Sequence, residues 1–238
     1  MNAIAEISQL RFAWRNQNKL LDIPYFRMEP GERVFISGPS GVGKTTLLGL
    51  IGGAFTPQQG EIRILNQSFK SMKPAARGQF RADHFGFLLP MPNLLPYLSA
   101  LDNVALVIQL SPRKTEKVGN YFAQRETAGK LLIKMGLHDQ SLWYKKPPEL
   151  TAFQQQQVMF ARALIGLPEL IIADEPSIDA DAKQRDQLLS SLLNECQAKQ
   201  ISLIYAGQRP HLREHFDRCL SIDELQSKHG TALRARAV

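Results

Sequence analysis

Long apolar runs are missing from this 238-residue chain. No stretch reaches the roughly 18 residues that a membrane-spanning helix requires, since the most hydrophobic windows, 85–95 and 104–110, are short or broken by Pro, Asn and Gln. The opening sequence MNAIAEISQL has no basic segment ahead of an apolar core, so no secretory leader is expected and a cytosolic location follows. Cysteine is scarce: Cys196 and Cys219 lack metal-ligand spacing and read as packing residues of a helix and a strand. With ordinary Gly and Pro counts and no sustained heptad, disordered, collagen-like and coiled-coil classes are excluded. What is present, 44% hydrophobic and 21% charged residues, suits one large α/β domain or a domain with a subdomain. The net charge of +7 is scattered, with no Lys/Arg run longer than two, and by itself selects neither nucleic acid nor an anionic membrane.

Residues 4–12 and 33–37 read as strands separated by a turn at Pro30-Gly31. A helix is expected to open at Gly43-Lys44, to carry Leu47, Leu48, Leu50 and Ile51 inward, and to stop at Gly52-Gly53. Gln59-Gly60 leads a strand over 61–65. From about residue 87 to 164 helical periodicity dominates, interrupted by proline-containing loops. Strand signal returns at 170–173 and 202–206 around a helix over 182–199. This β-then-α alternation predicts a parallel sheet with helices on its faces. Residues 227–238 are polar and basic and are expected to fray.

Gly38, Pro39, Ser40, Gly41, Val42, Gly43, Lys44 and Thr45 fit G-x-x-x-x-G-K-[ST] between an expected strand and an expected helix. The glycines let backbone N–H groups turn inward around an anion, and the helix start adds its positive dipole end. Lys44 then reaches the outer phosphates, the Thr45 hydroxyl can ligate Mg²⁺, and Thr46 continues the lining. A second strand, residues 170–173, delivers Asp174 to the metal, with Glu175 beside it as general base on water.

With these motifs the chain resembles, over nearly its whole length, the nucleotide-binding subunit of ABC transporters, with Walker A at 38–45 and Walker B at 170–175. Residues 93–104 (NLLPYLSALDNV) are similar to the subgroup that holds macrolide-exporter, lipoprotein-releasing and cell-division ATPases. The resemblance implies a P-loop NTPase (RecA-like) α/β core with an N-terminal antiparallel β subdomain and an inserted helical subdomain. It implies a single domain over 1–226, helical at about 90–164. It also implies ATP and Mg²⁺ as cofactors, a second ABC cassette as dimer partner, an integral-membrane permease, and a place on the cytoplasmic face of the inner membrane. Trp14 falls where the family stacks an aromatic side chain on adenine.

Four motifs depart from the family. Its Q-loop Gln falls at Pro90, which has no side-chain amide. Its LSGGQ signature, which faces the partner's nucleotide, aligns with Leu150, Thr151, Ala152, Phe153 and Gln154, so two glycines are replaced and Phe153 is expected to obstruct. Its switch His aligns with Gln208, which keeps a donor and an acceptor but cannot become cationic. Its D-loop aligns with residues 177–181, which retain Asp181 but are otherwise unusual. The expectation is ATP binding with slow hydrolysis, catalytic roles falling to Glu175 and Gln208.

The pattern H-x-x-E-H at His211–His215 is set aside as a zinc site, because Pro210 fits a helix start, Arg213 adds an unhelpful cation, and the family has a surface helix here. Residues 18–22 (NKLLD) have one residue too many for guanine reading. The alternative from another class is a non-transport, ATP-gated binding or regulatory module, associated with nucleic acid through its charge. A single cassette without long coiled-coil arms or zinc-finger cysteines disfavours the family's DNA-repair and chromosome-organising members, and nucleic acid is not expected as a partner.

Overall fold

The computed structural model describes residues 3–14, 20–176, 181–208 and 210–227. Its elements are β1 (Ala5–Ala13), β2 (Leu20–Met28), β3 (Arg33–Ser37), α1 (Lys44–Ile51), β4 (Gln59–Ile64), β5 (Gln67–Ser68), α2 (Pro74–His84), β6 (Phe85–Leu88), α3 (Ala100–Gln109), α4 (Pro112–Val118), α5 (Tyr121–Lys134), α6 (Ala152–Leu164), β7 (Leu170–Asp174), α7 (Ala182–Lys199), β8 (Ser202–Gly207), β9 (Arg218–Ser221) and α8 (Ile222–Gln226). They form two compact units, one made of the described residues up to Arg77 together with those from Ser202, the other running from Gly78 to Ile201. Among the described residues no helix is long and apolar enough to cross a membrane.

The first unit holds an antiparallel sheet ordered β2-β1-β4-β5 and a parallel set in which β3 pairs with both β8 and β9. Strand β3 is a short continuous apolar run because both its faces are covered, and Val34, Phe35 and Ile36 are fully buried. The sequence reading placed two strands ahead of the Gly-rich loop, but there are three. Pro24 hides β2, since a proline ordinarily argues against a strand. It is tolerated because β2 is an edge strand and its register with β1 passes from Ser8↔Tyr25 to Leu10↔Ile23, skipping Pro24. At that point Gln9 has φ 49°, and a Cβ on Gly60 of β4 would lie 2.2 Å from the Gln9 carbonyl oxygen, so Gly60 permits the irregular ladder. Strand β9 is expected only as the strand context of Cys219, and helix α8 is not expected, although Ser221 and Glu224 form a capping box that marks its start.

In the second unit β6 and β7 run parallel, from Phe85↔Leu170 to Leu88↔Ala173, and β7 is buried throughout. The helical region therefore starts later than residue 87. Residues 85–88 are a strand, and a Cβ on Gly86 would come within 2.1 Å of the Ala163 carbonyl oxygen of α6, so β6 lies directly on the helix backbone. Helices α3, α5 and α6 pack on one another, and Leu101, Val104 and Ile108, Ala128 and Leu132, and Val158, Phe160 and Leu164 of these helices are all buried. Each large apolar side chain so buried contributes about 1.5–3 kcal/mol. Cys196 lies buried in α7 and Cys219 half-buried in β9, the contexts expected of them.

The entrance to the β6–β7 pair is closed by an ion cluster. Arg113 of α4 donates both terminal nitrogens to Glu169, and His84 Nδ1 stands 3.1 Å from the same carboxylate. Burial would raise the Glu169 carboxyl, but the hydrogen bonds from His84 and Arg113 outweigh it and hold it at about 2. The folded value lies below the roughly 4.3 of an unfolded glutamate, so this stabilisation is full above that pH and is lost as pH falls toward 2. With Arg113 46% exposed, solvent screening limits it to about 1 kcal/mol. Glu169→Gln is expected to lower the melting temperature near neutral pH and to flatten its fall in acid. Circular dichroism melts over an acid series check this.

Candidate functional site

The Gly-rich loop leaves β3 at Ser37 and enters α1 through two left-handed glycines, Gly41 at φ 71° and Gly43 at φ 113°. A side chain would be strained at both positions. Around the Cβ position of Gly41 nothing lies within 4 Å, and the N-cap Gly43 offers no side-chain acceptor to the first-turn N–H groups of α1. That is a cradle for an oxyanion. Lys44 is buried, its Nζ donating to the Gly38 carbonyl at 2.6 Å and the Pro39 carbonyl at 3.1 Å. The ammonium is thus stowed on the loop's own oxygens, from which a phosphate could draw it.

Trp14 stands beside this cradle. Its indole Nε1 donates to Thr46 Oγ1 at 3.2 Å, and its ring meets Phe12 and Phe55 edge-on at 5.2 and 4.9 Å between centroids. Trp14 remains 41% exposed, leaving aromatic surface for a planar base. Phe55 was not foreseen. It explains Gly49 inside α1, where a Cβ would lie 2.4 Å from the Phe55 ring, so a residue that weakens a helix lets the aromatic support pack closely.

On the other flank Gln208, just past β8, donates through Nε2 to Ser40 Oγ at 2.8 Å. Arg213 donates to Ser37 Oγ at 2.9 Å, adding a cation at the base of the loop. The sequence reading treated Arg213 only as an obstacle to zinc. Residues Pro210–His215 form a 3-10 helix, where positions four apart stand about 120° around the axis rather than on one face. The first unit thus brings together Trp14, residues 38–46 and Gln208.

The second unit carries the remaining candidates. Asp174 ends β7 and is buried, while Glu175, half-buried, takes a left-handed φ of 35° that a non-glycine residue adopts only under local constraint. Pro90, just past β6, is exposed. Thr151 caps α6, accepting from Gln154 N at 3.2 Å while Gln154 Oε1 accepts from Thr151 N at 2.9 Å. Ala152 and the half-buried Phe153 therefore occupy the first two helical positions. Asp181 caps α7, accepting from Gln184 N at 2.8 Å, while residues 177–180 of the D-loop lie outside the described residues. The hydroxyl of Thr45 in the first unit and the carboxylate of Asp174 in the second are each hard oxygen donors, the ligand chemistry that Mg²⁺ prefers.

Residues 21–178 match the family model described as ABC transporter. The lipoprotein-releasing system ATP-binding protein LolD of Chromohalobacter salexigens is 34% identical over 205 residues, covering 86% of this chain and 83% of that one. The macrolide export ATP-binding/permease protein MacB of Rhodopseudomonas palustris is 38% identical over 165 residues, covering 69% of this chain and 24% of that longer protein. Among solved structures, an ATP-binding cassette in a dimeric post-hydrolysis state bound to ADP and Pi is similar at TM-score 0.80 and 26% identity, covering 91% of this chain and 93% of that one.

Proposed function

We infer the function from one premise: the chain belongs to the ABC transporter family and is an ABC-type ATPase with a P-loop NTPase fold. The observation that carries the finer reading is the left-handed entry into α1 through Gly41 and Gly43, with no side chain capping the helix, Lys44 stowed beside it and Trp14 exposed at its flank. ATP would enter with adenine on Trp14 and phosphates on the amides of residues 38–46. Lys44 would leave the Gly38 and Pro39 carbonyls for the outer phosphates. Thr45 and Asp174 would hold Mg²⁺, which when bound neutralises charge developing on the transferred phosphoryl group. Glu175 would orient or deprotonate the attacking water, and Gln208, steadied by Ser40, would face the terminal phosphate as a weakened sensor.

Turnover is proposed to be slow. Pro90 offers no amide to water or metal, Gln208 carries no charge, and Phe153 stands at the helix start that would face a partner's nucleotide. Residues 1–226 are taken as one nucleotide-binding domain, helical at about 90–164, that pairs head to tail with a second cassette through Thr151, Ala152, Phe153, Gln154 and Asp181. A homodimer would hold two poor signatures. An intact heterologous partner would present a good one to this chain's Walker residues.

The relatives named for lipoprotein release and macrolide export support a membrane permease as the working partner, at the cytoplasmic face of the inner membrane. Exposed Met91, Tyr97, Tyr121, Phe122 and Tyr144 in the second unit support docking there, with closure passed on through residues 91–104. Membrane recruitment that depends on a co-expressed permease checks this.

The nucleotide assignment is tested by Trp14→Ala. Losing the stack is expected to weaken ATP binding about 3–10-fold while leaving tripolyphosphate affinity unchanged. Equal ATP affinity in titration calorimetry would remove Trp14 from the site.

A further inference from the structure

Lys114 of α4 is 1% exposed. Its Nζ donates to the Phe85 carbonyl, the first of β6, at 3.3 Å. Its stem lies across Gly166, φ 76°, in the connection from α6 to β7, where an added Cβ would come within 2.6 Å of Lys114 Cδ. The residue before it, Arg113, grips Glu169, the residue preceding β7, and Ser111, which caps α4, donates to Asp83 at the end of α2. One turn of helix is therefore fastened to the start of both strands of the β6–β7 pair.

We propose that Lys114 is a positioning residue for hydrolysis: it pins α4 to the entrance of the β6–β7 pair and thereby sets the far end of β7, where Asp174 and Glu175 stand. The proposal rests on the reading that Glu175 acts on the attacking water. Two paired strands four or five residues long are stiff, so a shift at Phe85 or Leu170 reaches Leu88 and Asp174, and a misplacement of about 1 Å at a reacting centre can slow it about 10²-fold.

Stability alone does not account for this lysine. Burying an ammonium whose hydrogen-bond partner is a carbonyl is unfavourable, and an apolar side chain of similar length would fill the same channel. Burial lowers the amine to about 8, opposed by the fields of Glu169 and Asp83 and assisted by Arg113 and Lys117; His84 belongs to the same cluster through its contact with Glu169. Below that value the ammonium is drawn toward Asp83 and Glu169. Above it the amine loses that attraction and the pin slackens. Stability moves the other way: the unfolded lysine titrates near 10.4 and binds the proton more tightly, so folding gains as pH rises from about 8 toward 10.

The test is single-turnover ATP hydrolysis by the full chain in excess, which resolves slow rates, across a neutral-to-alkaline series, with Lys114→Met and with Glu175→Gln as background. The expected result has three parts. The wild-type rate falls on the alkaline side near pH 8 while its melting temperature does not. Lys114→Met binds ATP within about threefold of wild type and melts no lower. It hydrolyses about tenfold more slowly, without the alkaline fall. A wild-type profile flat through pH 8, an unchanged rate in Lys114→Met, or joint loss of affinity, melting temperature and rate would each overturn the pin. A wild-type chain no faster than Glu175→Gln at any pH would overturn it by removing the hydrolytic reading beneath it.

Discussion

Restoring the family's residues together, Pro90→Gln, Ala152→Gly, Phe153→Gly and Gln208→His, is expected to raise steady-state turnover about 10²-fold or more, with ATP affinity within about threefold. Each of these positions supplies a donor or a clearance that matters chiefly when charge develops on the terminal phosphate, so the gain falls on kcat. Pro90 gains an amide. Position 208 exchanges an uncharged amide for an imidazole able to carry a proton. Glycines at the first two positions of α6 remove the Phe153 ring from the face a partner nucleotide would meet. They weaken the helix by about 1 kcal/mol each, but the box between Thr151 and Gln154 still holds its start. Phosphate release at saturating ATP checks the gain. An unchanged rate would mean that Pro90, Phe153 and Gln208 are compensated elsewhere.

Lys44→Ala is expected to weaken ATP binding about 100-fold or more, since a charge-assisted contact to phosphate is lost in a partly desolvated cradle. The structure separates this effect from misfolding. Lys44 donates only to the loop carbonyls of Gly38 and Pro39 in the hydrogen bonds resolved for it, and losing two such bonds lowers stability by about 1–3 kcal/mol. Equilibrium binding and melting on the same protein check both. Retained affinity would remove Lys44 from the phosphate site.

The parts legible in the sequence were those written in local chemistry. The glycines of residues 38–45 dictate a left-handed entry into α1, and the helix indeed begins at Lys44. The apolar run before Asp174 dictates a buried strand, and α7 starts and stops where Asp181 and Lys199 allow. What escaped depends on contacts across sequence distance. β2 survives Pro24 only because Gln9 breaks the ladder opposite, and β6 is too short to separate from the helices that follow until Gly86 is seen against Ala163. Phe55 behind Trp14, Ser40 under Gln208 and Phe85 above Lys114 are tertiary pairings that no spacing rule carries. The capping box at Ser221 and Glu224 was a readable signal that the pattern of apolar residues overshadowed.

Nucleotide binding joined to slow turnover is checked by measuring Mg-ATP affinity and steady-state hydrolysis on one preparation, with Lys44→Ala, Glu175→Gln and the restored variant alongside. The expected result is ATP binding that is lost in Lys44→Ala, with hydrolysis about 10²-fold below the restored variant. Turnover by the unaltered chain that equals the restored variant and is abolished by Glu175→Gln would contradict it.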